Sequence, residues 1–148
     1  MEKSTHKKWN QDNAKVNIEN YCAYQERSHD EVRNKLLTHG IYGELLEELI
    51  SHLIENNFLN EERFAIQYAG GKFRIKKWGK VKIKLALKAK NVSSYSINEA
   101  LSQFGDEEYK AALIYWIQKK GVDLSSLNYD ERMGLIRFLQ SKGFELGV

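Results

Sequence analysis

The chain has 148 residues, with 23 lysines and arginines against 20 aspartates and glutamates, a formal net charge of +3. At this length roughly 68–70% of the unfolded surface can be buried, so a packed core needs no disulfide or metal, and 42% hydrophobic with 29% charged residues mark a globular chain. The longest apolar run, Ala111 to Ile117, is seven residues against about 18 for a membrane span. The first residues lack the apolar stretch of a secretory signal, and the single cysteine, Cys22, cannot close an internal disulfide, which fits a reducing, cytoplasmic setting.

Proline is absent, where average usage would give about seven. That suits a chain of helices with short, glycine-marked joints. Residues 1–16 are polar and without periodicity, which predicts a flexible N-terminal arm. Asn17 to Arg27 reads as a helix with Ile18, Tyr21, Cys22 and Gln25 inward. Ser28 to Glu31 opens the next, which carries Val32, Leu36 and Leu37 and stops at Gly40. Tyr42 to about Asn57 follows, with a wide stripe of Leu45, Leu46, Leu49, Ile50, Leu53, Ile54 and Phe58.

Asn60 is the N-cap of a helix beginning Glu61-Glu62. That helix is expected to run past Gly70-Gly71 to Trp78, where Gly79 breaks it. Lys80 to Lys90 is helical with Ile83 and Leu87 inward. Ser93 or Ser94 caps a short helix through Leu101. Asp106 to Lys120 follows, bearing Leu113, Trp116 and Ile117. Asn128 or Asp130 starts the last helix, with Leu135, Ile136, Phe138 and Leu139 before Gly143. No stretch alternates with period two, so the fold is all-α.

Three second helices align. Val32, Leu36, Gly40, Ile41 correspond to Ile83, Leu87, Asn91, Val92 and to Leu135, Leu139, Gly143, Phe144, at offsets of 51 and 52. A junction repeats as well, Leu59 to Phe64 against Phe104 to Tyr109. Chance likeness between amphipathic helices is the competing explanation, but three sets at near-constant offset favour true repeats. The expected architecture is an elongated, curved array of three-helix repeats, with units at 17–59, 60–104 and 105–148. The third unit lacks its last helix: either the natural chain stops there or the sequence is truncated.

The segments Phe64-Ala65-Ile66-Gln67-Tyr68-Ala69, Lys72-Phe73-Arg74 and Trp78-Gly79-Lys80-Val81-Lys82-Ile83, followed by Leu87, Lys90, Asn91 and Val92, resemble the central repeat of the RecX family. Those proteins regulate the RecA recombinase. Lys80 stands where the family has proline, and Asn91 where it has its second glycine; asparagine also tolerates the left-handed conformation. The resemblance covers about residues 17–144. It implies a threefold repeat of three-helix units. It also implies a partner, the RecA–single-stranded DNA filament, whose groove such proteins are thought to occupy while restraining recombinase activity in DNA repair and recombination.

The charge distribution points independently to a polyanion. Residues 1–62 carry 7 bases and 12 acids, residues 63–98 carry 10 bases and no acid, and residues 99–148 carry 6 bases and 8 acids. In a helix Lys77, Lys80, Lys84 and Lys88 would form one exposed stripe, extended by Lys72, Arg74 and Lys76 and flanked by Lys82 and Lys90. Like charges at this spacing repel, and phosphates would relieve them. A solvated lysine face is the plainer alternative. The predominance of lysine suits backbone contacts over base reading.

Phe73 and Trp78 lie within the block and could stack on bases, although core packing is the favoured reading of Trp78 and of Trp116. Glu44, Glu47 and Glu48, in a window with Glu55, Glu61 and Glu62, form either a solvated helix face or a docking face for a basic partner. Trp9 has no reading. His39 is expected to serve the carbonyls at its helix end, and Cys22 to be a buried small hydrophobe.

No catalytic constellation stands out. Gly70-Gly71-Lys72 lacks phosphate-loop spacing. His6, His29, His39 and His52 lack ligand spacing with Cys22 or with paired acids, so neither metal nor cofactor is expected. The expected protein is a monomeric, non-enzymatic regulator. Its rival is a helical module that binds DNA or RNA, and a second rival is a scaffold for an acidic protein.

Overall fold

A computed structural model describes residues 7–146. Among them are eight α-helices and no strand: α1 Gln11–Tyr24, α2 His29–Thr38, α3 Gly43–Glu55, α4 Glu61–Arg74, α5 Lys80–Ala89, α6 Ser94–Leu101, α7 Asp106–Lys120 and α8 Tyr129–Ser141, with a 3-10 turn at Leu124–Ser126. None of these helices is long and apolar enough to cross a membrane.

The helix starts follow local chemistry. The Ser28 hydroxyl accepts the Glu31 N–H while the Glu31 carboxylate accepts that of Ser28, and Asn128 and Glu131 repeat the exchange. Asn60 and Ser93 cap α4 and α6.

Several boundaries differ from expectation. The expected arm is helical from Gln11, because Asn10 caps the Asp12 and Asn13 N–H groups and Asn13 returns the bond to Asn10. This adds Ala14 to the buried face and leaves Gln25 exposed beyond the helix end. Residues 1–6, including His6, lie outside the described residues. Helix α4 ends at Arg74, not Trp78: the Gly70-Gly71 pair stays helical, and the chain reverses at Lys77, whose φ is 58°. Tyr42 and Asn57 fall outside α3, and its stripe is narrower than expected, since Ile54 is 46% exposed. Leu37 of α2 is also exposed.

Two hydrophobic cores lie in series. The first joins α1, α2 and α3 through Ile18, Val32, Leu36, Leu46, Leu53 and Leu59. The second joins α4, α5 and α6 through Phe64, Ala69, Phe73, Ile83, Leu87 and Ile97, and takes in Ala112 of α7 and Phe144 after α8. The third group of helices thus packs onto the core of the second.

The repeat correspondence is realised atom for atom at three helix ends. The N–H groups of Ile41, Val92 and Phe144 donate to the carbonyls of Leu36, Leu87 and Leu139 at 2.9, 3.2 and 3.2 Å. Gly40, Asn91 and Gly143 each have positive φ, at 84°, 60° and 97°. This is the Schellman closure, in which a left-handed residue lets the chain satisfy the last carbonyls and turns the next apolar side chain inward. Ile41, Val92 and Phe144 are accordingly buried.

The ends of these second helices also meet. Helix α5 has no side-chain cap. The Gly79 N–H donates to the Lys142 carbonyl at 2.7 Å, the Val81 N–H to the Gly143 carbonyl at 2.9 Å, and the Lys80 N–H to the Tyr109 hydroxyl at 2.9 Å. The C-terminal end of α8, with Tyr109 of α7, therefore takes up three N–H groups at the start of α5, with opposite dipole ends of α5 and α8 together. One unit earlier, the Asn91 amide after α5 donates to Asp30 in the first turn of α2 at 2.6 Å. At the end of α2, the Trp9 N–H donates to the His39 carbonyl at 2.8 Å and the Trp9 ring stacks on His39 at 3.9 Å. His39 Nδ1 bonds the Lys7 carbonyl. Its ring therefore ties down the segment before α1.

Candidate nucleic-acid interface

Ten bases in residues 63–98 begin as one block in sequence, but the fold divides them. Arg63 pairs with Glu26 and reaches the Asn57 and Phe58 carbonyls, which fastens the second unit to the first. Arg74 pairs with Glu108 at 3.2 Å. The other ion pairs among the described residues are Arg33–Glu47 and His52–Glu19, so none takes a lysine. The block's lysines are the charges left for a ligand.

They do not form the continuous stripe expected from one helix. Lys77 sits in the reversed turn after α4, where its ammonium donates to the Arg74 carbonyl and its own carbonyl accepts the Trp116 indole N–H at 2.7 Å. Lys80 is half-buried with its ammonium 4.9 Å from the Tyr109 ring. Lys84 and Lys88 are exposed on a flank shared with the exposed Val81 and Leu85, and Lys76 is exposed after α4.

The concentrated positive charge lies on the other flank of α5. Lys72 of α4 and Lys82 of α5 place their ammonium groups 4.9 and 4.6 Å from the Trp78 ring, and Lys72 and Lys90 lie 5.4 and 5.6 Å from the Tyr68 ring. Trp78 precedes the close backbone contact at Gly79, and Lys82 follows it on the first turn of α5, so α4, the turn and α5 converge here. The ring faces hold the ammonium groups at about 0.5–1 kcal/mol each. That is weak enough for phosphates to take them over.

Phe73 is not available for stacking. It is 3% exposed and lies 4.2 Å from Phe104 and 5.9 Å from Tyr109, ring to ring, inside the second core. Trp78 is half-buried between its two lysines, joining the core at one edge and the basic surface at the other. Tyr68 belongs in the sequence to a helix and to the segment resembling the RecX repeat, and nothing there places it on the basic surface. It borders a cleft between the first and second units lined also by Gln25, Glu26, Glu31, Gln67 and Lys90. Burial, then the Glu31 carboxylate, raises its phenol above the ordinary range. These acids mark where the basic surface stops.

Glu44, Glu47 and Glu48 are exposed on α3. Glu47 is held by Arg33 at 2.6 Å, and that hydrogen bond keeps its carboxyl below the usual range. Glu61 serves structure: it accepts the Ser93 N–H and both the Ser93 and Ser96 hydroxyls at 2.9–3.1 Å. Burial pushes its carboxyl upward, and these bonds outweigh burial and leave it lowered. Cys22 is buried, and desolvation pushes its thiol up to about 11. No three His, Cys, Asp or Glu side chains among the described residues converge to hold a metal ion.

The unit that carries this surface is the one a family model matches. Residues 60–101 fit the second three-helix domain of RecX. The regulatory protein RecX of Lactobacillus johnsonii is 34% identical over 130 residues, covering 86% of this chain and 48% of that protein. Its counterpart in Herminiimonas arsenicoxydans is 30% identical over 124 residues, covering 84% and 80%. The chain spans about half the length of the Lactobacillus johnsonii and Lactococcus relatives it matches. The crystal structure of RecX from Lactobacillus salivarius superposes with a TM-score of 0.80 at 24% identity, over 91% of this chain and 88% of that one. A tandem array of three-helix units with this sequence kinship places the chain in the RecX family of regulatory proteins.

Proposed function

We propose that this chain binds a RecA–single-stranded DNA filament in its groove and modulates, mainly by inhibition, the recombinase and ATPase activities used in DNA repair and recombination. The observation that carries the proposal is the set of three lysines without ion pairs, Lys72, Lys82 and Lys90, held over Trp78 and Tyr68 in the second three-helix unit. Phosphate oxygens are the natural counter-charge for such a set. The exposed Glu44 and Glu48 on α3, with Glu47 beside them, supply an opposite pole for a basic face of the recombinase. In this reading the protein acts as a cytoplasmic monomer, without a cofactor.

Strand exchange and recombinase ATPase turnover with added protein test the proposal. Inhibition at micromolar concentration, lost in Lys72→Glu/Lys82→Glu, is the expected result. Unchanged rates would refute it. Inhibition that persists in that variant would move the contact elsewhere. Binding to naked DNA or RNA with no effect on the recombinase would favour a nucleic-acid module acting alone.

A further inference from the structure

Residues 99–148 carry more acids than bases, and by charge count the third unit has no claim on a polyanion. Its folded surface is organised differently. The Lys142 ammonium lies 4.5 Å from the Trp116 ring and 5.4 Å from Phe138, Lys119 lies 5.6 Å from Trp116 and 5.7 Å from Tyr115, and Lys120 lies 4.4 Å from Phe138. Lys77 of the second unit joins them, 5.2 Å from Tyr115. The acids Asp106, Glu107 and Glu108 stand at the opposite end of α7.

This group adjoins the surface around Trp78. Lys142 gives its carbonyl to the Gly79 N–H, next to Trp78. Lys82, whose ammonium covers Trp78, has its Cβ packed against Gly143, next to Lys142. The Trp116 indole bonds to the carbonyl of Lys77, also next to Trp78. The two sets of lysines and rings are therefore joined through backbone at fixed spacing.

We infer that Lys119 and Lys142, set on Trp116, continue the binding surface of the second unit, so that a single-stranded nucleic acid runs from Tyr68 and Trp78 across the Gly79–Gly143 junction onto the third unit. The inference rests on the reading that the second unit binds nucleic-acid phosphates. Single strands are favoured over duplex because the charges sit on aromatic rings. As phosphates draw the ammonium groups off, the ring faces open to bases, whose stacking is worth about 1–3 kcal/mol each. Lys120 has a smaller part, since it also lines a cleft with Asp123 and Glu131.

Titration of fluorescein-labelled oligothymidylate with the full chain, repeated over a range of salt, tests this. The variants are Lys119→Gln/Lys142→Gln, Lys72→Gln/Lys82→Gln, and the control Lys15→Gln/Lys110→Gln with the same loss of charge; circular dichroism verifies each fold. The expected result is weaker binding by both of the first two, each with a salt slope shallower by about 1.4, at about 0.7 per phosphate contact on a single strand, and the control close to wild type. If Lys119→Gln/Lys142→Gln binds like the control while Lys72→Gln/Lys82→Gln is weakened, the extension is wrong and the second-unit reading stands. If only Lys119→Gln/Lys142→Gln is weakened, the third-unit lysines bind on their own, and both the second-unit reading and the continuous path fall. Wild-type protein that fails to bind the oligonucleotide overturns both.

Discussion

Gly79 and Gly143 meet backbone to backbone. A Cβ on Gly79 would lie 2.4 Å from the carbonyl carbon and oxygen of Gly143, and a Cβ on Gly143 would lie 2.3 Å from Cβ of Lys82. At Gly79 the φ is an ordinary −78°, so glycine is required by space alone; at Gly143 both space and a φ of 97° require it. The contact seats the third unit on the second and lines up their lysine–aromatic sets.

Gly79→Ala should therefore destabilise the chain by about 1–3 kcal/mol, the usual cost of overpacking where backbone cannot yield. At about 2–4 °C per kcal/mol for a chain near this size, the melting temperature falls visibly in a calorimetric scan. Gly105→Ala, at an N-cap whose Cβ would meet nothing, should cost less, only the N-cap preference for glycine over alanine that both variants share. Equal effects of the two would contradict the steric account.

The helix exits give a second prediction. Asn91 holds a left-handed φ and ties the second unit to the first through Asp30. Asn91→Ala keeps the strained φ, loses the tie, and should cost about 1–3 kcal/mol. Asn91→Gly relieves the strain and should recover part of the loss. Urea denaturation of the two variants checks the order.

Alkaline pH should unfold the protein through one buried and one half-buried group. Burial pushes the Cys22 thiol from its ordinary 9.0 to about 11. Burial also pushes the Tyr109 phenol from 10.0 to about 12, against the pull of the Lys80 N–H and with Glu145 adding to the rise. The native state holds both protons at pH values where the unfolded chain has released them. Stability is thus fully present below about pH 9 and falls as pH rises toward 12. Cys22→Ala and Tyr109→Phe should each flatten part of that fall in urea melts taken across the range. At neutral pH, native Cys22 should react with iodoacetamide more slowly than in urea, where burial no longer suppresses the thiolate.

Much of this was legible in the sequence because it is local. Leu36-x-x-x-Gly40-Ile41 and its two counterparts encode a helix end within six residues, and each closes as its pattern foretold. Asn60, Ser93 and Ser28 announce their helices by the same short-range logic. The end of α4 carries no such mark: Lys77 adopts a left-handed turn with neither glycine nor asparagine, which breaks the helix that a single lysine stripe requires. Phe73 sits between two basic residues in sequence and faces the core in space. Trp116 and Lys142 are 26 positions apart in the chain, and only the docking of α7 on α8 brings them together. Trp9 acquires a role only once His39 stands opposite it.

Charge reversal should separate the two flanks of α5. Lys72→Glu, Lys82→Glu and Lys90→Glu together should weaken oligonucleotide binding more than Lys80→Glu, Lys84→Glu and Lys88→Glu, because Lys80 rests over Tyr109 while Lys84 and Lys88 share their flank with Val81 and Leu85. Fluorescence anisotropy at matched salt gives the comparison, and the reverse order would restore the single-stripe picture.

Co-sedimentation tests the central claim most directly. The protein is spun with RecA–single-stranded DNA filaments, with RecA alone, and with single-stranded DNA alone at the same nucleotide concentration. The account predicts that the filament carries the most protein into the pellet, and that Lys72→Glu/Lys82→Glu abolishes the excess. Equal recovery with bare DNA, or recovery indifferent to nucleic acid, would contradict it.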